Sequence, residues 1–458
     1  MQSFKIKFIL IAIVFSFTVQ SFAQDYVFTS VNIIDMASEQ ILKNHYIHVK
    51  SGKIHAINPE INGLPTDKDV IVIDGDGAFV FPGLAEMHSH IPVTNSDDFS
   101  YLQDVMWLYL ANGVLNVRGM IGHSSHLVLK DKIKNGEITG PRIFAAGPSL
   151  NGDSVEDAEA GNRMVREQAE AGYDHLKLHP GLDMPKFMAI STTAKAKGIK
   201  FGGHVSLDVG LENSILNGYR SIEHMDGYIE YLIDDKSKLD PQIAGPFSML
   251  LAKEANMERL PKIIELTLAQ GAWIAPTLTL FERFFGYIPA DEFRLASEMK
   301  YMPGLQVQQW VNQKKMLEGQ GLLKEENVKP YLEFRKKLLM ALHENGVPII
   351  MSSDSPQVFN VPGFSIHHEI AALSDAGMSN YEILKSGSVN VAKYFEMEGE
   401  FGQIIPGASA DFVMLDGNPL ENLDALKKIQ SIMLRGEWIQ KNKLEAELER
   451  LEIKNLRK

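Results

Sequence analysis

Cysteine is absent from the 458 residues. Its absence excludes disulfides, thiolate metal sites and a cysteine nucleophile, so any metal has to be held by nitrogen and oxygen donors. Basic residues are scarce relative to acidic ones, 45 against 58, for a formal net charge of -13. Such a surface repels phosphate backbones and anionic lipid, which argues against a nucleic-acid partner and against membrane binding beyond export. Long apolar runs are also missing, with one exception at residues 8–19. Lys5 and Lys7 precede that run, and Ser21-Phe22-Ala23 follows it as a small-x-small site. Residues 1–23 therefore read as a secretory signal peptide cleaved near Ala23, and the chain is expected to be exported to a bacterial periplasm or secreted. The leader carries two lysines and no acid, so the mature charge moves from -13 to -15. With 45% hydrophobic and 22% charged residues, the remainder has the balance of an ordinary globular protein, long enough for more than one domain.

Residues 26–81 alternate short β-like runs (26–34, 45–49, 53–57, 70–73) with turns such as Asp74-Gly75-Asp76-Gly77. This is expected to be the first part, 24–81, of a small β-sandwich domain. From Pro82-Gly83 to about 398 the texture changes. Short apolar runs at 84–88, 114–118, 142–146, 175–179, 200–204, 221–224, 273–277 and 347–352 alternate with helical stretches such as 158–171 and 184–197. Strand and helix in alternation imply parallel strands with crossovers, and eight units fit an α/β fold of the (β/α)8 TIM-barrel type. The stretches 226–270 and 281–337 are too long for simple crossovers and read as insertions around the barrel mouth. β texture returns at 403–406, 411–415 and 432–438, so residues 399–440 are expected to complete the sandwich as the second half of a discontinuous domain. Residues 441–458 are highly charged and read as a solvated C-terminal helix. No internal repeat or low-complexity tract is found.

The strongest local signal is Pro82-Gly83-Leu84-Ala85-Glu86-Met87-His88-Ser89-His90. Two histidines at i and i+2 on a strand face the same way, and at the C-terminal end of an inward-facing barrel strand both imidazoles reach one ion. Taken alone, an HxH pair reads equally as two surface or core histidines. Lys177, His204, His224 and Asp354 stand at or near the ends of later strand-like runs. Four histidines and a carboxylate suit zinc or a similar divalent ion. Lys177 has two readings: an ammonium that binds a substrate carboxylate, or a lysine that reacts with carbon dioxide to give a metal-bridging carbamate.

The ordered set of HxH, fourth-strand lysine, fifth- and sixth-strand histidines and eighth-strand aspartate resembles the amidohydrolase superfamily, in its binuclear branch. Gly113-Val114-Leu115-Asn116-Val117-Arg118, Gly140-Pro141-Arg142-Ile143 and Pro406-Gly407-Ala408-Ser409-Ala410-Asp411 extend the likeness over nearly the whole mature chain. The finer likeness is to imidazolonepropionase-related and prolidase-like members. It implies two divalent metal ions, with zinc the expected metal: His88, His90 and Asp354 on one, His204 and His224 on the other, and carboxylated Lys177 between them. A water shared by two cations ionises near neutral pH, and Asp354 would carry its proton to the leaving nitrogen as base and then acid.

Arg118 is a candidate for a substrate carboxylate or for pairing with a barrel acid. Tyr228 and Tyr231 are candidates for substrate binding or for packing on the insertion. His179 shares parity with Lys177 and faces either the pocket rim or a structural partner. His123 and His126 lie in a loop at the mouth; His367 and His368 open a helical pattern. The expectation is a hydrolase of an amide or peptide-like C–N bond in a dipeptide or N-acyl amino acid. A deaminase or cyclic-amide hydrolase on the same scaffold, and a non-catalytic binding protein that kept the fold, are the alternatives. A homo-oligomer is compatible with the sequence.

Overall fold

The computed structural model describes residues 24–65 and 69–456. The expected signal peptide, 1–23, lies outside the described residues.

The N-terminal strands are β1 (Tyr26–Asp35), β2 (Gln40–Lys50), β3 (Lys53–Pro59), β4 (Ile71–Asp74) and β5 (Phe79–Phe81). Parallel strands follow as β6 (Leu84–Ser89), β7 (Val114–Gly119), β8 (Arg142–Phe144), β9 (His175–Leu178), β10 (Lys200–Gly203), β11 (Ser221–Glu223) and β12 (Trp273–Ala275). The chain ends with β13 (Asp411–Leu415), β14 (Ile429–Leu434), β15 (Glu437–Gln440) and the helix Lys441–Leu456.

The small unit is one eight-stranded sheet, ordered β15-β14-β13-β5-β1-β2-β3 with β4 also on β1. In place of a sandwich of two separate sheets, the C-terminal strands extend the N-terminal sheet across the β13–β5 ladder, Val413 opposite Phe81. β1 serves β4 with its first half and β5 with its second, changing register beyond Phe28, where Ser30 takes a left-handed φ of 52°. Phe28, Phe412 and Trp438 pack edge to face and join the two parts of the sheet in one core.

The larger unit is α/β. Its strands form two arcs, β6-β7-β8 and β9-β10-β11-β12. Among the described residues no closed ladder runs around it; single backbone contacts cross the gaps instead. Ala146 and Leu150 bridge to β9, Ile349 bridges to β12, and Ser355 bridges to Ser89 of β6. The expected eighth strand, 347–352, forms no regular strand: Pro348 has no N–H to donate, and Ile350 N–H and Met351 N–H reach Ile274 and Ser386 respectively.

The crossover helices follow from local sequence. Met184–Lys197 begins where the Asp183 side chain accepts Lys186 N–H, has a proline in its first turn, and ends at Gly198 with φ 67°. Its buried residues Phe187, Ile190, Ser191 and Ala194 are spaced three, one and three apart, one helical face. The terminal helix Lys441–Leu456 is charged but not simply solvated. Leu444 and Leu451 are buried on one face, and Arg450 and Lys454 both reach Asp104 of the helix Ser100–Ala111. Among the described residues no helix is long and apolar enough to cross a membrane.

Candidate active site

The site is assembled at the C-terminal ends of the parallel strands. β6 is buried along its whole length, and its alternation aims Glu86, His88 and then His90 to one side. His88 is fully buried, and its Nδ1–H donates to Glu223 Oε2 at 2.7 Å. A carboxylate only accepts, so the Nε2 lone pair of His88 is left facing the centre. Glu223 is itself fixed: Arg118 Nη2 donates to its Oε1 at 2.8 Å and Ser221 Oγ at 2.6 Å.

His204 and His224 are held in the same way. His204 Nδ1 donates to Asp226 Oδ2 at 2.6 Å, and His224 Nδ1 lies 2.7 Å from Thr277 Oγ1. The His88 and His224 rings are 4.6 Å apart and those of His204 and His224 4.7 Å. The position of His204 depends on Gly203: with φ 141° it comes so close to Leu178 O that a Cβ would collide with that carbonyl. Asp354 has a left-handed φ of 62°. Its Oδ1 lies 3.1 Å from His90 Nε2 and 4.0 Å from His88 Nε2, and its Oδ2 lies 3.9 Å from His224 Nε2. Donor atoms of His88, His90 and Asp354 all fall within 4.8 Å of one another. Lys177 is fully buried, its Nζ 3.4 Å from His88 Nε2.

The electrostatics suit a cation. Burial, then the Lys177 charge, holds His88, His90 and His204 well below the ordinary imidazole range, and burial followed by His88 does so for His224. These rings are neutral, the form that ligates. Burial lowers the Lys177 amine against the pull of Glu223 and Asp354, and burial raises the Asp354 carboxyl. Asp354 Oδ1 is buried with no hydrogen-bond partner, although imidazole nitrogens surround it. An orphaned carboxylate oxygen among inward-facing lone pairs fits a divalent ion, and the donor set is of the kind zinc takes.

Each of the six sequence-derived centre residues thus comes to one place. The proposed substrate residues divide. His179 stands at the rim, half-buried, stacked on His204 at 5.0 Å with its Nδ1 2.6 Å from Ser149 Oγ. Arg118 is not available to substrate. It is fully buried and spends its donors on Met87 O, Ser221 Oγ, Tyr394 Oη and Glu223, because a buried arginine has to satisfy its whole fork there. Tyr228 is likewise turned into the core, where its hydroxyl meets Thr267 Oγ1 at 3.1 Å beneath the helix Leu260–Ala269. Tyr231 lies under the Arg259 guanidinium and lines a cavity of about 600 Å³ shared with Val205, Leu207, Lys236 and Arg259. None of the six centre residues lines that cavity, so it neighbours the chemistry without containing it. At the mouth, His126 bonds Pro92 O and His123 caps the helix Ser124–Lys134; His367 is buried and His368 pairs with Glu298.

Residues missed from sequence all act through others. Glu86 accepts the N–H groups of His88 and Ser353 and the hydroxyl of Ser353, tying β6 to the segment that carries Asp354. Burial pushes its carboxyl up to about 7 against those hydrogen bonds. Its parity with His88 was a readable signal. Glu223, Asp226 and Thr277 offered only adjacency to strand ends. Arg335, from the helix Glu325–Glu344, donates to the carbonyls of His224 and Pro276, and nothing in its sequence neighbourhood marked it.

The amidohydrolase family matches residues 79–439 of the chain. No curated protein matches it. Solved structures with the same fold include a bottromycin amidohydrolase (TM-score 0.69, 20% identity, covering 93% of this chain and 91% of that one). A candidate prolidase from Bifidobacterium longum (TM-score 0.68, 22% identity) is covered over 94% of this chain and 99% of that one. An Xaa-Pro dipeptidase with methionine bound in its active site (TM-score 0.64, 18% identity) is covered over 91% and 100%. With the family matched over well more than half its length, the chain belongs to the amidohydrolase family.

Proposed function

We propose that the protein is an exported, metal-dependent hydrolase that cleaves an amide or peptide-like C–N bond in a dipeptide or N-acyl amino acid. The observation that carries the metal reading is Asp354 Oδ1, buried without a hydrogen bond beside His90 and His88, while His88, His204 and His224 are tied back through their other ring nitrogens by Glu223, Asp226 and Thr277. The candidate prolidase and the Xaa-Pro dipeptidase among the solved structures with this fold support the substrate class. His88, His90 and Asp354 would hold one ion and His204 and His224 a second. Lys177 would join them after its neutral amine adds to carbon dioxide and loses a proton, giving an N-carboxylate. When bound, divalent ions supply Lewis acidity and lower the pKa of coordinated water.

The chain's own residues do the rest. Glu223 and Asp226 hold their imidazoles in one tautomer, and Arg118 and Ser221 hold Glu223. Asp354, poised by burial to accept a proton, takes it from the attacking water and delivers it to the leaving nitrogen. Zinc-reconstituted protein assayed against dipeptides and N-acyl amino acids should turn over members of that class, and Asp354→Asn should reduce kcat by a factor on the order of 10³ or more. Turnover confined to nucleobases or lactones, or an undiminished Asp354→Asn enzyme, overturns the reading. Metal content separates it from a deaminase: two ions per chain support it, and one tightly held ion opposes it. N-terminal sequencing of the mature protein, expected to start after Ala23, tests export.

A further inference from the structure

The insertion between β11 and β12 brings one aromatic ring to the centre. Phe247 lies 6.0 Å from the His224 ring and 6.3 Å from the His204 ring. Its backbone is unusual. Phe247 (φ 49°, ψ 33°) and Ser248 (φ 53°, ψ 30°) are consecutive non-glycine residues in the left-handed region, within the segment Pro246–Glu254. L-residues reach that region at a cost, and two in succession persist only where surrounding structure imposes them. Here Ser248 Oγ donates to Glu230 Oε1 at 2.5 Å, and the ring of Phe247 packs edge-on against Phe281 at 5.1 Å and Phe285 at 5.5 Å.

Those two partners are fixed to the centre as well. Arg335 sits 3.4 Å over the Phe281 ring while donating to His224 O, so one guanidinium locks the aromatic cluster and the histidine backbone together. Phe281 and Phe285 are buried, but Phe247 is only half-buried. A phenylalanine recruited merely to fill the core would be enclosed and would need no left-handed backbone. This one is half-buried and stands next to His204 and His224.

We propose that Phe247 is a specificity-determining residue: an apolar wall, held rigid by the Ser248–Glu230 and Phe281–Arg335 contacts, that receives an aromatic or branched aliphatic side chain next to the scissile bond. The proposal rests on the hydrolase reading of the centre and adds the side-chain class. An apolar contact of this kind discriminates by roughly 10- to 200-fold in kcat/KM.

The test compares zinc-reconstituted wild type, Phe247→Ala and Ser248→Gly on X-Ala, Ala-X and N-acetyl-X substrates with X as Gly, Leu or Phe. In Phe247→Ala the preference for Leu and Phe over Gly should fall about 10-fold or more, mainly through KM. Ser248→Gly keeps the ring but removes the hydroxyl that ties the segment to Glu230, so its preference should fall between those of wild type and Phe247→Ala. Zinc content and thermal midpoint show that each variant is folded and loaded. An unchanged preference in Phe247→Ala, or an equal loss on Gly and Phe substrates, overturns the wall. Calorimetric binding of N-acetylphenylalanine and N-acetylglycine gives a readout independent of turnover. If wild type hydrolyses nothing, the hydrolase reading fails by itself, while tighter binding of the aromatic ligand, lost in Phe247→Ala, still supports the wall and equal affinities overturn it.

Discussion

Lys177 and Glu223 have similar burial and opposite legibility. Lys177 stands out because a cation at a strand end among histidines demands an explanation. Glu223 carries no such mark: it precedes His224, and strict alternation places neighbours on opposite faces. The structure defeats that alternation with a left-handed φ of 59° at His224 and 52° at Met225, so that Glu223 holds His88 while His224 itself faces the centre. Glu223→Gln keeps the shape but removes the charge that Arg118 and His88 share. It should weaken metal affinity by about 10- to 100-fold, measured by chelator competition. Unchanged affinity would mean that the Arg118–Glu223–His88 chain does not orient the ligand. The same contacts decide between the two readings of Arg118: a strand-end arginine is equally suited to a substrate carboxylate and to a buried acid, and its neighbours select the acid, Glu223.

At the scale of elements, the terminal helix separates composition from environment. Its charge suggested solvation, yet Leu444 and Leu451 recur seven apart on one face and are 4% and 1% exposed. Leu451→Ala should therefore destabilise the protein by about 2–5 kcal/mol, read from urea unfolding. A helix merely solvated would show a change within roughly 0.5 kcal/mol. The crossover helices were legible because caps and apolar spacing agree locally, as in Asp183, Phe187, Ile190 and Gly198. The insertions were not, since short helical pieces such as Pro246–Glu254 carry little periodicity and are shaped by what they pack on.

For the whole molecule, burial of neutral histidine sets an acid limit. His175 on β9 and His367 on the helix Phe364–Ala376 are both held down to about 3 by burial. Unfolded histidine takes up its proton near pH 6.5, whereas these do not until far lower. Their stabilising contribution is thus complete above about pH 6.5 and shrinks as pH falls toward 3, by about 1.4 kcal/mol per pH unit for each ring. Urea midpoints of metal-free protein should drop between pH 7.5 and 5, and His367→Leu should make that drop smaller. Equal midpoints at the two pH values would refute the assignment.

The sequence by itself determined that any metal ligands had to be nitrogen and oxygen donors, that strands and helices alternate, and which six side chains stand at or near the ends of strand-like runs, because composition, periodicity and position in a run are local properties. Tertiary structure alone decided which of the remaining polar groups serve the centre. Arg118 and Tyr228 turned into the core, Glu86, Glu223 and Asp226 became the supports, and Phe247 came to stand beside the histidines. Side-chain direction at a strand end depends on a few left-handed residues and on partners over a hundred positions away, such as Arg335 for His224. Neither is written in the residues immediately around them.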